Sequence, residues 1–204
     1  MKTSPLEHCL LALIEHGECS GYDIRRILTQ TPMRRFSDSP GSIYPALQRL
    51  QRRRWIVATR DPESRRRRSV YRLAPKGRAE LTRWLKQPIS EDDVIYRMHE
   101  LMLRLSFHHL LADISPDEEP LQSFMAALAS AAASYAAKLR NFIRTSTSGY
   151  PTAARLALDA GLDGYQSLAR WAGREARTLQ RGASLKSGPR KSTTSKSTTR
   201  RRPA

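Results

Sequence analysis

SPGSIYPALQRLQRRRWIVATRDPESRRRRSVYRLA, residues 39–74, changes its apolar period once, and that change sets the fold class. Ser39 and Pro40 stand in the order of a helix cap and a first-turn proline. Ile43, Leu47 and Leu50 then fall four and three apart, on one helical face. At about 100° per residue, Gly41, Pro45, Gln48 and Arg52 lie opposite that stripe, with Tyr44 and Arg49 on its flanks. The outer face is therefore polar and basic. Beyond it, residues 55–59 and 69–74 are rich in β-branched and aromatic side chains, and the turn-forming DPESRRRR at 61–68 separates them. This predicts a two-stranded hairpin with Arg65, Arg66, Arg67 and Arg68 at its tip.

Two further helices precede this stretch. Ser4, Pro5 and Glu7 open one over residues 5–16, with Leu6, Cys9 or Leu10, and Leu13 at helical spacing and Gly17 ending the pattern. Ser20 caps another, with Ile24, Ile27 and Leu28 as its stripe, which stops before Pro32. After the hairpin, Pro75 opens a helix carrying Leu81, Trp84 and Leu85, and Pro88 closes it. Three helices and a hairpin in about 75 residues have the order of a winged helix-turn-helix unit. Its third helix has the size for a DNA major groove. Gln48 can pair with adenine and Arg49 with guanine. Tyr44 can reach a phosphate through its hydroxyl or pack under the hairpin instead. Ser39, Ser42, Pro45 and Arg52 complete the expected DNA-facing set on this helix, and the four tip arginines suit phosphates or a narrow minor groove, unless they form only a solvated turn.

The charge distribution agrees with a polyanionic partner. The 204 residues carry a formal charge of +17. Residues 1–86 hold 19 Lys and Arg against 8 Asp and Glu, net +11; residues 87–181 hold 10 against 11, net −1; residues 182–204 hold 7 against none, net +7. The longest apolar run, Cys9 to Ile14, is far shorter than the ~20 residues of a membrane-spanning helix, and no signal-peptide core follows the N-terminus. A cytoplasmic, nucleoid-associated protein without membrane contact is the expectation. Two cysteines permit no disulfide framework. His8, Cys9, His16 and Cys19 match no familiar zinc spacing, and no nucleophile elbow, zincin motif or Walker loop occurs. No metal, cofactor or enzymatic activity is expected.

After a composition shift near residue 87, the periodicity predicts three long helices, over 91–112, 117–146 and 152–181. On the last of them Leu158, Leu162, Tyr165, Ala169, Ala172, Ala176 and Leu179 alternate in steps of four and three, a heptad seam that calls for a partner helix and predicts a homodimer. Met98, Met102 and Trp171 could line a pocket for a flat aromatic guest, or serve as packing. Residues 182–204 contain a single apolar side chain larger than alanine, Leu185, which predicts a disordered basic tail. The domains expected are thus 1–86, 87–181 and the tail, in a mostly α architecture.

GSIYPALQRL at 41–50, SGYDIRRIL at 20–28 and RRRSVYRLAPKGRAELTRWL at 66–85 together resemble the PadR family of transcriptional regulators over residues 4–86. Residues 156–179 are more loosely similar to the last helix of that family's dimerisation domain. The resemblance implies a winged helix joined to a helical dimerisation domain, acting as a repressor that releases DNA when a small aromatic effector binds between subunits; the two-fold symmetry of a dimer in turn predicts an inverted-repeat operator. Arg54 stands where the family usually has glycine, at a helix end that favours positive φ. A second class of function, an architectural DNA-binding protein with little sequence preference, needs only the basic wing and tail. The outward Gln48 and Arg49, and a neutral helical half with no purpose in a DNA coat, favour the regulator.

Overall fold

The computed structural model describes residues 3–37, 39–60, 69–114 and 120–186. Helix α1 (Pro5–His16) begins with a reciprocal cap: the Glu7 N–H donates to Ser4 Oγ at 3.2 Å, and the Ser4 N–H donates to Glu7 Oε2 at 3.0 Å. Helix α2 (Gly21–Gln30) repeats the arrangement with Ser20 and Asp23. A short 3-10 turn, Pro32–Arg35, leads into α3 (Pro40–Arg52). Here Ser39 caps through its carbonyl, which accepts the Ser42 and Ile43 N–H groups, and its hydroxyl makes no cap bond.

Strands β2 (Ile56–Arg60) and β3 (Ser69–Leu73) form the expected antiparallel hairpin. A third strand, β1 (Cys19–Ser20), pairs with the other edge of β3, giving the order β1-β3-β2. The sheet therefore has three strands rather than two, because two residues are too few to show an alternating pattern in sequence. Helix α4 (Pro75–Leu85) follows, with Leu81, Trp84 and Leu85 buried as expected.

The end of α3 is closed by a left-handed residue. Arg54 has φ 57°; its N–H donates to the Gln51 carbonyl at 2.8 Å, and the Trp55 N–H donates to the Leu50 carbonyl at 3.0 Å. Those two bonds are the paired closure that glycine usually makes at a helix end. They keep the αL geometry although arginine stands there.

The predicted single helix over 91–112 is broken into α5 (Glu91–Tyr96), α6 (Met98–Ser106) and α7 (Leu110–Ile114). Val94 and Leu101 enter one core, whereas Leu103, Phe107, Leu110 and Leu111 enter another. The chain turns at Arg97 and again at 107–109, while α6 itself spans the two cores, with Leu101 in one and Leu103 in the other. Helix α8 (Pro120–Ser146) then packs lengthwise on α9 (Thr152–Lys186). The last helix outruns the expected end at 181, since extending an existing helix fixes one residue per added bond and needs no new nucleus. The rest of the basic tail, 187–204, lies outside the described residues.

Two apolar cores result. The first gathers α1 to α4 and the start of β2, and it also recruits Leu103, Phe107, Leu110 and Leu111. The winged unit thus extends beyond the boundary at 86 that composition suggests. The second core joins α5, α6, α8 and α9 through Val94, Leu101, Phe124, Met125, Leu128, Ala132, Ala172 and Ala176. The C-terminal part of the heptad seam is accordingly covered within the chain, where Ala172 and Ala176 are buried and Tyr165 meets Tyr135 of α8 edge-on at 4.7 Å, whereas Leu158 and Leu162 stay partly exposed. Over that part of the seam the helix packed on it is α8. Among the described residues no helix is long and apolar enough to cross a membrane.

Candidate nucleic-acid interface

Helix α3 turns Ile43, Ala46, Leu47 and Leu50 into the first core. Ser39, Gly41, Ser42, Tyr44, Pro45, Gln48 and Arg52 are exposed, so the expected outer face is the actual one. Pro45 has no N–H to give the Gly41 carbonyl one turn back. Tyr44 is 44% exposed, and its ring lies on α2: a Cβ at Gly21 would come within 2.7 Å of Tyr44 Cε1. Gly21 is what lets the tyrosine sit there. Burial, and then the neighbouring Tyr44, push the Tyr71 hydroxyl above its ordinary pKa. The strands of the wing end at Arg60 and Ser69. Arg65, Arg66, Arg67 and Arg68 fall in 61–68, outside the described residues.

Arg49 is placed differently from Gln48. Its Nε–H donates to Glu7 Oε1 at 2.8 Å, and about a third of its side chain stays exposed. Arg53 Nη1 lies 3.6 Å from Glu7 Oε2, and its guanidinium stacks 4.9 Å above the Trp55 ring. Glu7 itself is 2% exposed. Burial raises its pKa, but the Ser4 N–H, the bond from Arg49 and the charge of Arg53 outweigh that and hold it below the usual carboxylate value. The sequence shows Glu7 only as a cap residue, because nothing local reveals a partner 42 positions away. Further exposed side chains flank the helix: Arg35 in the preceding turn, Arg54 at its end, and Tyr22, 54% exposed, beside Gly21. The pair Arg34-Arg35 just before the cap was a legible signal for the first of these.

Where the two units meet, two cavities open. One of about 570 Å³ lies between residues 85–89, α6 and α8, and the other, of about 850 Å³, between the start of α1, α4 and α5–α6. Arg104 borders both. It is 4% exposed, donates through Nη2 to the carbonyls of Leu85, at 3.1 Å, and of Gln87, and lies over the Phe124 ring at 5.3 Å. Among the described residues its Nε and the Nδ1 of buried His108 have no hydrogen-bond partner. His108 is pushed below the ordinary histidine pKa by burial, with Arg104 adding to the shift. Met98, Met102 and Trp171, by contrast, pack against the second core and line neither cavity. On α9, Leu158, Leu162, Tyr165, Ala169 and Leu179 are partly exposed, whereas Ala172 is fully covered. The described residues contain no group of three or more side chains able to hold a metal ion.

A three-helix unit with a wing, an exposed polar helix face and surrounding arginines is a winged helix-turn-helix domain, here joined to a helical unit. Residues 10–83 match the family model described as "Transcriptional regulator PadR-like family". Similar solved structures include a PadR-like transcriptional regulator of Bacillus cereus, with 21% identity, 87% of this chain and 99% of that chain covered, and a TM-score of 0.35. Bacillus subtilis PadR in complex with operator DNA gives 21% identity, coverage of 87% and 99%, and a TM-score of 0.39. The same protein in complex with p-coumaric acid gives 21%, 88% and 99%, and 0.36. No curated protein matches the chain.

Proposed function

We propose that this protein is a dimeric, sequence-specific transcriptional repressor that reads an inverted-repeat operator with α3 and grips the backbone with its wing. The observation that carries the reading is the exposed Ser42, Pro45, Gln48 and Arg52 face on a helix whose opposite side is locked into the core. Phosphate contacts fall to Ser39, Tyr44 and the wing arginines, and base contacts to Gln48 and to Arg49, whose guanidinium is held at one edge. A two-fold dimer sets two such helices one DNA turn apart, ~34 Å. With the C-terminal part of the seam occupied by α8, the surface available for pairing is the exposed apolar set at the far end of the α8–α9 hairpin, Phe142, Tyr150 and Leu156, continued by the half-exposed Leu158 and Leu162. The protein works on chromosomal DNA in the cytoplasm and performs no chemistry.

A small aromatic effector fits the cavity beside Phe124, Arg104 and His108, where two polar atoms await a partner. It releases DNA only insofar as it binds one arrangement of the two units better than the other. The test is a pair of binding isotherms for DNA selected by the protein from a random pool and for a scrambled control. Gln48→Ala should cost ~1–3 kcal/mol on the selected DNA and almost nothing on the control. Equal losses on both favour the architectural alternative.

A further inference from the structure

We propose that Glu7 is a positioning residue for DNA reading: its buried carboxylate holds the Arg49 guanidinium by one edge and ties α3 to the cap of α1, so that Arg49 meets bases rather than phosphates. The inference rests on the regulator reading given above.

Arginine on a recognition helix is a flexible cation, and a free one goes to the nearest phosphate, which carries no sequence information. Discrimination requires that its planar fork be fixed before the DNA arrives. The Glu7 carboxylate supplies such a fixture. It is 2% exposed and takes the Arg49 Nε–H at 2.8 Å through Oε1. Its Oε2 accepts the Ser4 N–H at 3.0 Å and faces Arg53 Nη1 at 3.6 Å. The carboxylate is thus held from α1 on one side and from α3 on the other. Arg53 in turn lies over Trp55, just past the left-handed turn at Arg54, so that the same carboxylate also anchors the junction of α3 with the wing. A residue whose only task was capping would not need to reach α3; Asp23 and Asp93 cap α2 and α5 with a side chain one carbon shorter. The extra length of Glu7 is what brings its carboxylate to Arg49. Its charge matters as well, because two guanidinium groups without it would add non-specific attraction for any duplex.

The experiment compares the full chain with Glu7→Gln, which keeps a capping side chain, and Glu7→Asp, which keeps both charge and cap but withdraws from Arg49. Affinities for selected and scrambled DNA are measured over a series of salt concentrations. With Glu7→Gln the ratio of selected to scrambled affinity should fall about tenfold. The slope of log K against log salt on scrambled DNA should steepen by about 0.9 as Arg49 gains a phosphate. Glu7→Asp should lower the ratio in the same direction with no change in melting temperature beyond a few degrees, and it decides the matter if Glu7→Gln does not fold. In an Arg49→Ala background neither substitution should move the ratio further. A merely structural role would lower both affinities together and leave ratio and slope alone, and that result overturns the inference while the regulator reading stands. A wild-type ratio near one overturns the regulator reading and this inference with it.

Discussion

Arg54 and Gly77 illustrate opposite kinds of local demand. Arg54 holds φ 57° while its side chain is exposed, so the backbone geometry costs energy that no packing of that side chain returns. Arg54→Gly should raise stability by about 0.5–1 kcal/mol, the αL strain removed less the added freedom of the unfolded chain, as read from urea midpoints. At Gly77 the constraint is space: a Cβ there would sit 2.1 Å from the Trp55 carbonyl oxygen, which already accepts the Ala74 N–H at 2.9 Å. Gly77→Ala must push α4 off the start of the wing and should cost about 2–3 kcal/mol by the same measurement. Titration adds a third expectation. His8 is driven below its ordinary pKa by burial, which outweighs the opposing pull of Glu80. It is therefore read as a neutral ring whose Nε2–H donates to Glu80 at 3.2 Å, stacked on Trp84 at 4.7 Å, rather than as half of an ion pair. A histidine with a lowered folded pKa binds fewer protons folded than unfolded. Its contribution is complete above about pH 6.5 and is lost as pH falls below that value toward the folded one. His108 acts in the same direction, and Glu7 and Glu80, both held low, extend the loss below the carboxylate value of 4.5. His8→Gln should flatten the fall in stability just below pH 6.5, and the part linked to Glu80 should change with it, because the His8 bond helps to hold that carboxyl low.

At the scale of elements, the winged unit was legible because each helix carries both its cap and its stripe within a dozen residues, as Ser4, Ser20 and Pro40 show. Strand β1 was not, for it exists only through Val70 and Tyr71 of a strand fifty residues away. The break of 91–112 into three helices escaped because the apolar positions keep a plausible helical spacing across Arg97 and 107–109, and only the assembled molecule shows that the chain turns there. The seam on α9 asks for a helix, and α8 packs on its C-terminal part, yet a heptad pattern does not say whose helix it is. Periodicity reports a buried face and is blind to the chain that buries it. The part of the candidate site whose exposure was readable, Gln48 and its neighbours, is the part decided by the phase of one helix. Arg49 needed the position of Glu7. The covered seam yields a prediction that separates the two kinds of partner. Ala172 is fully buried between α9 and α8, so Ala172→Asp places an uncompensated carboxylate in a core. It should unfold the helical unit at every protein concentration, seen as lost helical signal in circular dichroism. A seam facing a second chain would instead give a concentration-dependent loss.

Across the whole molecule, the two units are joined by more than the linker at 86–90. Leu103, Phe107, Leu110 and Leu111 lie on the helical side of the sequence but in the winged unit's core, while Val94 and Leu101 anchor the same stretch to α8 and α9. A second link lies before α3, where Phe36 and His99 of α6 stand 5.8 Å apart. Arg104 sits between these attachments, borders both cavities, and donates to the last carbonyl of α4, that of Leu85, and to that of Gln87 just beyond it. Any rearrangement of the helical unit must be felt at α4, and α4 is packed on α1, which carries Glu7. Arg104→Met keeps a side chain that can lie against Phe124 but removes the donors to Leu85 and Gln87. Hydrogen bonds from a charged donor contribute roughly 1.5–3 kcal/mol, so the joint should weaken by an amount of that order. Scanning calorimetry should then resolve two transitions in place of a single cooperative one, with the winged unit still able to bind DNA. Any small molecule that weakens the wild-type complex should lose its effect in this variant, because the path from its cavity to α1 runs through the missing guanidinium. One unchanged transition in the variant would mean that the apolar contacts of 103–111 carry the coupling by themselves.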